Sequence, residues 1–249
     1  MRPAPNTPDM KRTVVINQPT YLPWLGYFEQ IARADVFVFL DSVQFSRQSW
    51  QCRNRLEGPV NGETPWLNVP VARQPLSTVI RDIRIAPERA DWAQLHLDAI
   101  TARLGRAPFF REMLATVEPV LRSSPTHLAE LNITLIRAIA ARLGLEPQFL
   151  RSSDLPVTGT KAELVVNLLK HVGATDYYAS AGSAVYLEAA RPDFTAAGVE
   201  LSYQAWEHPR YAQGDGAFVS HLSVVDALSW IGFEGVARLL ARQLQEAAA

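Results

Sequence analysis

The chain has 249 residues, of which 48% are hydrophobic, and its mean hydropathy is close to zero. A water-soluble chain of this length and composition buries the core of one large or two small domains. The formal net charge of −1 argues against a globally basic nucleic-acid-binding protein, although a local basic patch is compatible with it.

The first eleven residues and the cysteine content indicate where the protein works. Residues 1–11, MRPAPNTPDMK, lack an apolar core, so they predict a disordered leader rather than a signal peptide. The single Cys52 excludes an intrachain disulfide and favours a reducing compartment. No apolar stretch approaches the length of a membrane span. These features together predict a cytoplasmic protein.

The segment from Val14 to Arg55 predicts a βαβ unit. Val14–Asn17 is a short apolar run typical of a buried strand, and apolar residues recur at helical spacing from Trp24 to Ala34. The dense run Val36–Leu40 predicts a central parallel strand, which ends at Asp41. Polar and aromatic residues then crowd together: Gln44, Arg47, Gln48, Trp50, Gln51, Arg53, Asn54 and Arg55. Open α/β sheets bind ligands at the carboxyl ends of their strands, so we expect the chemistry here.

The remainder of the chain continues the alternation of strands and helices. Strands are predicted at 66–71, at 79–85, at 149–154, at 176–180 and at 198–203. Helices are predicted within 87–143, with Thr126 as one N-cap, and at 161–172, 222–230 and 233–246. This order favours a single α/β domain over residues 12–249, with a Rossmann-like parallel sheet flanked by helices and a helical insertion or cap at 87–143.

Standard catalytic and cofactor motifs are absent from the sequence. It contains no Walker loop, no G-x-G-x-x-G, no H-E-x-x-H and no G-x-S-x-G. No metal site is expected, because metal-ligand spacing is missing among the five histidines, which are His96, His127, His171, His208 and His221. Cys52 is interpreted as a buried small hydrophobe rather than a nucleophile.

Three polar segments placed after strands are candidates for the site. The first joins Gln18–Tyr27 with Asp41–Arg55, and the forked donors of its arginines, Arg47, Arg53 and Arg55, are suited to a phosphate or carboxylate. This interpretation is favoured over a turn shaped by proline and tryptophan with solvated arginines. In the second, Lys161 opens a helix near Ser152–Asp154 and Ser180–Ser183, which suits either an anion or an ordinary capped helix and turn. In the third, His208 stands at a proline-kinked turn with Tyr211 and Gln213. It is either a general base or a residue that orders its loop.

The stretch QPTYLPWLGYFEQIARADVFVFLDSVQFSRQSWQCRNR resembles the opening of the WbqC-like family, which takes its name from bacterial O-antigen gene clusters. The later segments DYYASAGSAVYL, HPRYAQ and LSVVDALSWIG resemble the same family, so the resemblance covers 13–232. Cys52 and Ser229 depart from the family pattern without weakening it. The resemblance implies a context of sugar decoration or natural-product tailoring, and it implies little about mechanism.

The layout of the opening is also similar to pantothenate synthetase, a nucleotidyltransferase of the HIGH-motif superfamily that adenylates a carboxylate and passes it to an amine. In that alignment Trp24 and Tyr27 occupy the positions of the two HIGH histidines, and Gly26 is retained. Neither ring donates to a developing phosphate charge as imidazolium does, which counts against adenylation. Cyclodipeptide synthases offer an analogy, because they share the Rossmann-like fold without the motif and take an activated aminoacyl group from tRNA.

These observations lead to one functional expectation and one alternative. We expect an acyl or aminoacyl transferase or ligase that forms an amide or ester on a small amine acceptor, such as an amino-sugar, a nucleotide-sugar or a natural-product intermediate. The acyl donor is an acyl-adenylate made from ATP, or an aminoacyl-tRNA or carrier protein. The alternative is a non-catalytic module that binds a nucleotide-sugar. A glycosyltransferase is disfavoured, since no D-x-D follows a strand.

The expected site residues fall into two groups. The expected catalytic residues are Asp41, His208 and Lys161. The expected ligand-binding residues are Gln18, Tyr21, Trp24, Tyr27, Gln44, Arg47, Arg53, Asn54, Arg55, Ser180, Gly182, Tyr186, Tyr211 and Gln213.

Overall fold

The computed structural model describes residues 11–56, 66–214 and 216–246. Its strands are β1 (Thr13–Asn17), β2 (Val36–Phe39), β3 (Arg53–Arg55), β4 (Trp66–Asn68), β5 (Gln148–Arg151), β6 (Asp176–Ala179) and β7 (Glu200–Tyr203). Its α-helices are α1 (Leu25–Arg33), α2 (Trp92–Leu104), α3 (Phe110–Arg122), α4 (Leu128–Arg142), α5 (Lys161–Val172), α6 (Ala184–Leu187), α7 (Arg191–Ala196) and α8 (Val224–Glu246). The leader expected over the first eleven residues lies outside these ranges, except for Lys11.

Five strands form one parallel sheet in the order β5-β2-β1-β6-β7. The chain enters at the central strand β1, builds outward through β2 to β5, and then returns to the other side of β1 for β6 and β7. This is the strand order of a Rossmann-like fold, and it confirms the predicted α/β class. The order reverses between β1 and β6, so a crevice opens outside the carboxyl ends of these two neighbouring strands.

The side chains on the two faces of the sheet pack into two separate hydrophobic cores. Val15, Phe37 and Phe39 face the larger core, to which α1, α2, α3, α4 and α8 contribute. Val14, Val36, Val38 and neighbouring residues face the second core with α5 and α7. Because successive strand residues point to opposite faces, the unbroken apolar run of β2 buries both of its sides between helices.

The helical region at 87–143 contains α2, α3 and α4, as the periodicity predicts. The residue at the N-cap of α4 is His127 rather than Thr126, whose hydroxyl lies 2.9 Å from Nδ1 of that histidine. Gly144 follows the helix in the left-handed region, with a φ of 71°. The two helices predicted at the C-terminus form α8, which is kinked at Gly232.

The prediction of a strand at 79–85 is wrong. Residues Ile80–Asp82 form a 3₁₀ turn, flanked by the isolated bridges Gln44–Val79 and Val71–Ile85. Ile80 and Ile83 are both fully buried, and their spacing of three suits a 3₁₀ turn rather than an extended strand. The strand β3 was not predicted from the sequence. In the structure β3 pairs antiparallel with β4 outside the main sheet.

Candidate functional site

A cavity of about 350 Å³ opens at the carboxyl ends of β1 and β6, where the strand order reverses. Its walls come from the ends of both strands, the loop after β1, the start of α1, β3 and the segment before α8. The residues that line it are Asn17, Thr20, Pro23, Trp24, Tyr27, Trp50, Asn54, Ser180 and His221. Its volume lies in the range of small-molecule sites, and its position is the one where open α/β sheets bind ligands.

The loop after β1 takes its shape from hydrogen bonds to distant residues. The buried amide of Asn54 donates to the carbonyl oxygens of Tyr21 and Leu22, at 3.1 and 2.7 Å. The hydroxyl of Tyr27 donates to the carbonyl of Gln18 at 3.0 Å. Leu22 is fully buried with a φ of 40°, a conformation that these bonds hold in place. These bonds therefore define the conformation of the loop.

The Trp24 indole lies over the first turn of α1. Gly26 makes this possible, because a Cβ on that residue would stand only 2.3 Å from the ring carbon Cη2 of Trp24. The ring then stacks on the imidazole of His221, with centroids 5.0 Å apart and planes inclined by 26°. Trp24 and His221 together form one flat aromatic wall of the cavity.

His221 reaches this wall because the chain before α8 is bonded to the loop after β1. The Ser223 hydroxyl donates to the Leu22 carbonyl at 2.8 Å, and the Val224 amide donates to the Pro23 carbonyl at 2.8 Å. His221 has a φ of 60°, a left-handed conformation that is uncommon for a residue with a side chain. Backbone strain of this kind concentrates at functional sites.

His208 stacks behind the same wall. Its ring centroid lies 6.2 Å from that of Trp24 and 4.9 Å from that of His221. Nδ1 lies 3.1 Å from the carbonyl oxygen of Pro209, which only accepts hydrogen bonds, so we assign the proton to Nδ1. The Nε2 lone pair is then an acceptor, and it is buried without a hydrogen-bond partner among the described residues.

Both imidazoles are neutral at pH 7. Burial lowers the pKa of His208 from 6.5 to about 4, and the neighbouring His221 lowers it further. The hydrogen bond to the Pro209 carbonyl raises this pKa but does not offset the burial. Burial also lowers the pKa of His221, and the positive charge of Arg55 acts in the same direction. Of the described residues that line the cavity, none is Asp, Glu, Lys or Arg. The cavity thus combines flat rings with uncharged hydrogen-bonding groups.

The structure brings four of the expected ligand-binding residues to the cavity wall: Trp24, Tyr27, Asn54 and Ser180. Gln18 supports the wall, since its side-chain oxygen accepts the amide of Gln51 at 2.6 Å. Arg55 lies close by, with Nη2 donating to the Ser220 carbonyl at 3.4 Å. Arg53 lies on the outer side of β3 and covers the ring of Trp66.

Asp41, an expected catalytic residue, does not line the cavity. It is fully buried, and its carboxylate accepts hydrogen bonds from the hydroxyls of Ser152 and Ser153 at 3.1 and 2.9 Å and from the Ser153 amide at 3.0 Å. These bonds join the end of β2 to the turn after β5. In this arrangement the carboxylate stabilises the fold.

Other expected site residues also lie away from the cavity wall. Lys161 is exposed at the start of α5, and Gly182 and Tyr186 follow β6 on the surface without lining the cavity. Gln44 and Arg47 line a separate surface groove, where their side chains donate to the backbone carbonyls of Leu76 and Gln74, respectively.

Tyr21, Tyr211 and Gln213 take part in interior hydrogen bonds. The Tyr21 hydroxyl lies 2.8 Å from Nδ1 of His96. The Tyr211 hydroxyl and the Gln213 amide donate to the buried carboxylate of Asp226 at 2.7 and 2.9 Å. These bonds fasten the loop that carries His208 to α8.

Five residues of the wall were not among the expected site residues: Asn17, Thr20, Pro23, Trp50 and His221. Thr20, Pro23 and Trp50 lie within the first candidate segment, which spans 18–27 and 41–55. Asn17 is the last residue of β1, so the rule that ligands bind at strand ends could have found it. Trp50 stands within the polar stretch that was singled out, and it is 49% exposed. No local sequence pattern marks His221 as a site residue, because only the packing of the segment before α8 against the loop after β1 places it opposite Trp24.

Two other features of the structure bear on ligands. Over the described ranges, no group of three or more His, Cys, Asp and Glu side chains is placed to hold a metal ion. A larger groove of about 610 Å³ runs along α4 and β5, where Arg151 and Glu130 form a bidentate ion pair. It lies beside the edge strand rather than at the reversal of strand order, so the smaller cavity is the stronger candidate.

The fold and the cavity define a Rossmann-like α/β protein with an aromatic, uncharged site at the reversal of strand order. The chain belongs to the WbqC-like protein family, which matches residues 18–238. It is 29% identical over 228 residues to the "Uncharacterized protein Rv1507c" of Mycobacterium tuberculosis (strain ATCC 25618 / H37Rv), covering 90% of this chain and 96% of that protein. No solved structure matches the chain. No helix in the described ranges combines the length and apolar composition needed to cross a membrane.

Proposed function

We propose that the protein is an acyl or aminoacyl transferase or ligase that forms an amide or ester on a small, ring-bearing acceptor held in the cavity. The observation that carries this proposal is His221, a neutral imidazole in a strained backbone conformation on the cavity wall. An amine acceptor must lose a proton as it attacks a carbonyl, and a neutral imidazole accepts that proton at pH 7.

The walls of the cavity support an acceptor with a ring. The indoles of Trp24 and Trp50 and the phenol of Tyr27 offer apolar faces on which a sugar ring or a planar group packs. The hydroxyl groups of Thr20 and Ser180 supply hydrogen-bonding partners for hydroxyl and amide substituents. Amino-sugars, nucleotide-sugars and natural-product intermediates are acceptors of this kind.

In the proposed reaction the acceptor nitrogen attacks the acyl carbonyl carbon. The new C–N bond forms, and the amine proton passes to His221. The bond that breaks joins the carbonyl carbon to the donor oxygen, or to the donor sulfur in a thioester. The imidazole then returns this proton to the departing oxygen or sulfur, or to water. His208 lies behind the wall and positions the rings of Trp24 and His221. Asp41 and Lys161 have no part in this scheme.

The scheme accommodates either expected donor. Three kinds of donor present an activated carbonyl to the amine. They are an acyl-adenylate made from ATP, an aminoacyl ester on tRNA and a thioester on a carrier protein. In the ligase, ATP is the co-substrate: a carboxylate oxygen bonds to its α-phosphorus, pyrophosphate leaves, and AMP departs when the amine attacks the acyl-adenylate. In the transferase, the donor arrives already activated and its leaving group departs with the proton.

A second candidate function is non-catalytic binding of a nucleotide-sugar in surface-polysaccharide synthesis. It is favoured by the lack of any carboxylate or amine side chain among the described residues of the cavity wall. Such a module would bind its ligand through the same rings and amides and would leave it unchanged.

The test compares the wild-type protein with His221→Asn. Asparagine tolerates the left-handed backbone better than most residues, so this change removes the imidazole with little added strain. UDP- and dTDP-linked amino-sugars are incubated with ATP and amino acids, or with aminoacyl-tRNA, and mass spectrometry detects the acylated acceptor. Ligand binding is followed separately by the thermal shift it produces.

We expect product from the wild type and a loss of about 100-fold or more in His221→Asn, the lower end of general-base catalysis, with binding retained. Trp24→Ala should instead weaken the binding of the acceptor. Binding without product under either donor condition identifies the non-catalytic module. Full turnover in His221→Asn refutes the role of this imidazole.

A further inference from the structure

The antiparallel pair of β3 and β4 presents a partly exposed face of aromatic and basic residues beside the cavity. In the register of this pair, Arg55 lies opposite Trp66 and Arg53 lies opposite Asn68, so these four side chains share one face. The intervening Asn54 points the other way, is buried, and lines the cavity. With Trp50, which packs on Trp66, these side chains form what we call the β3–β4 face.

Two large indoles on this face remain open to solvent. Trp50 is 49% exposed and Trp66 is 45% exposed, and their ring centroids lie 5.5 Å apart. Adjacent exposed tryptophans are unusual on a protein surface that has no ligand, because burying such rings is strongly favourable. Trp50 also lines the cavity, so the aromatic surface continues from the cavity wall onto the face.

Two arginine side chains accompany the indole of Trp66. The guanidinium carbon of Arg53 lies 4.5 Å from the centroid of the Trp66 ring, which holds the side chain in place by a cation–π contact. Arg55 belongs to the same face but is half-buried, with Nη2 donating to the Ser220 carbonyl at 3.4 Å. Its charge acts on His221 in the cavity. Planar, forked guanidinium groups bind phosphate oxygens in pairs, which the point charge of a lysine does not do.

We propose that the β3–β4 face is a nucleotide subsite, in which a base stacks on the exposed indoles and a phosphate binds Arg53 and Arg55. Stacking platforms combined with basic side chains are the common means of binding nucleotides without a sequence-specific pocket. The inference rests on the proposed function in one respect: the group that the nucleotide carries enters the cavity past Trp50. It narrows the substrate class to a nucleotide-linked acceptor or donor.

The test measures equilibrium binding by calorimetry, so it requires no turnover. The probes are AMP, CMP, UMP, UDP-N-acetylglucosamine and the trinucleotide CCA, the common 3′ end of transfer RNA. Trp66→Leu removes the stacking ring, Trp66→Phe retains one, and Arg53→Ala removes the cation. Arg238→Ala is the matched control, since it removes an exposed arginine of α8 that pairs with Glu234.

We expect at least one probe to bind the wild type. Its affinity should be about fivefold or more lower for Trp66→Leu, and Trp66→Phe should recover part of this affinity. Arg53→Ala should lose about tenfold, and Arg238→Ala should change nothing. Tighter binding of CCA than of CMP and AMP identifies an RNA end as the source of the nucleotide. Equal or weaker binding of CCA identifies a free nucleotide conjugate.

Two results would overturn the inference. One is full affinity in both Trp66→Leu and Arg53→Ala with a loss in Trp24→Ala, which would place the nucleotide inside the cavity. The other is that no probe binds the wild type. Because His221→Asn leaves this face intact, normal nucleotide binding by that variant separates the subsite from the proposed reaction. The subsite can therefore stand if the acyl-transfer proposal fails, and it can fail while turnover persists.

Discussion

Replacing Gly26 by alanine tests whether the Trp24 indole lies over the first turn of α1. The new Cβ would stand 2.3 Å from Cη2 and 2.6 Å from Cζ2 and Cζ3 of the ring. Restoring ordinary van der Waals contact moves the ring by about 1 Å, and the partly exposed side chain is free to swing outward. Trp24 would then lose its packing against His221, His208 and Trp206.

The size of the effect follows from two opposing contributions. Alanine is more favourable than glycine within a helix by up to about 1 kcal/mol. The displaced ring loses aromatic contacts worth about 0.5–1.5 kcal/mol each, so we expect a loss of about 2 kcal/mol for the cluster. Gly26→Ala should therefore lower the free energy of unfolding by about 1 kcal/mol. In a Trp24→Ala background the same change should raise it by about 1 kcal/mol, since no ring remains to be displaced.

The assay is a double-mutant cycle by urea denaturation on the wild type, the two single variants and the double variant. The reversal of sign between backgrounds corresponds to a coupling energy of about 2 kcal/mol between the two positions. If Gly26→Ala stabilises the protein equally in both backgrounds, Trp24 does not cover Gly26, and the cavity wall described above is wrong. The test is independent of which ligand the cavity takes.

Two further predictions concern residues outside the cavity wall. Burial lowers the pKa of His96 to about 4, so the unfolded chain takes up a proton first as the pH falls below 6.5. The contribution of His96 to stability should therefore fall by about 2 kcal/mol between pH 7 and pH 4.5, and urea denaturation of His96→Gln should lack this part of the pH dependence. Asp41→Asn disturbs the bonds from Ser152 and Ser153, so it should lower the free energy of unfolding by about 2 kcal/mol while the folded variant keeps its ligand binding and activity. If the Asp41→Asn protein folds but has no activity, the Asp41 carboxylate takes part in the reaction and the structural role given to it here is wrong.

Much of the central fold could be predicted from local pattern. The run from Val36 to Phe39 is apolar on both faces, which occurs when a strand is covered by helices on both sides. The spacing of Leu25, Phe28 and Ile31 predicts α1, whose buried face packs in the larger core. The prediction at 79–85 was wrong because Ile83 and Ile85 alternate as in a strand, whereas Ile80–Asp82 form a 3₁₀ turn that buries Ile80 together with the following Ile83.

The candidate site was only partly predictable, because polarity alone does not separate ligand-binding residues from structural ones. Asp41 and Asn54 both belong to the polar stretch that follows the predicted strand Val36–Leu40, and both are buried and hydrogen-bonded. Only Asn54 lines the cavity. The difference lies in which element packs next to each residue: the turn after β5 covers Asp41, whereas the loop after β1 leaves one side of Asn54 open.

The sequence by itself determined the class of fold, the strands β1 and β2, the helix between them and the family, because these depend on residues close together in the chain. Tertiary structure alone decided which polar and aromatic residues share a cavity. The bond from Asn54 to Tyr21 spans 33 positions, and the bond from Ser223 to Leu22 spans 201. Such contacts bring His221 to Trp24, and no local periodicity encodes them, since they form only when the completed sheet places the ends of β1 and β6 side by side.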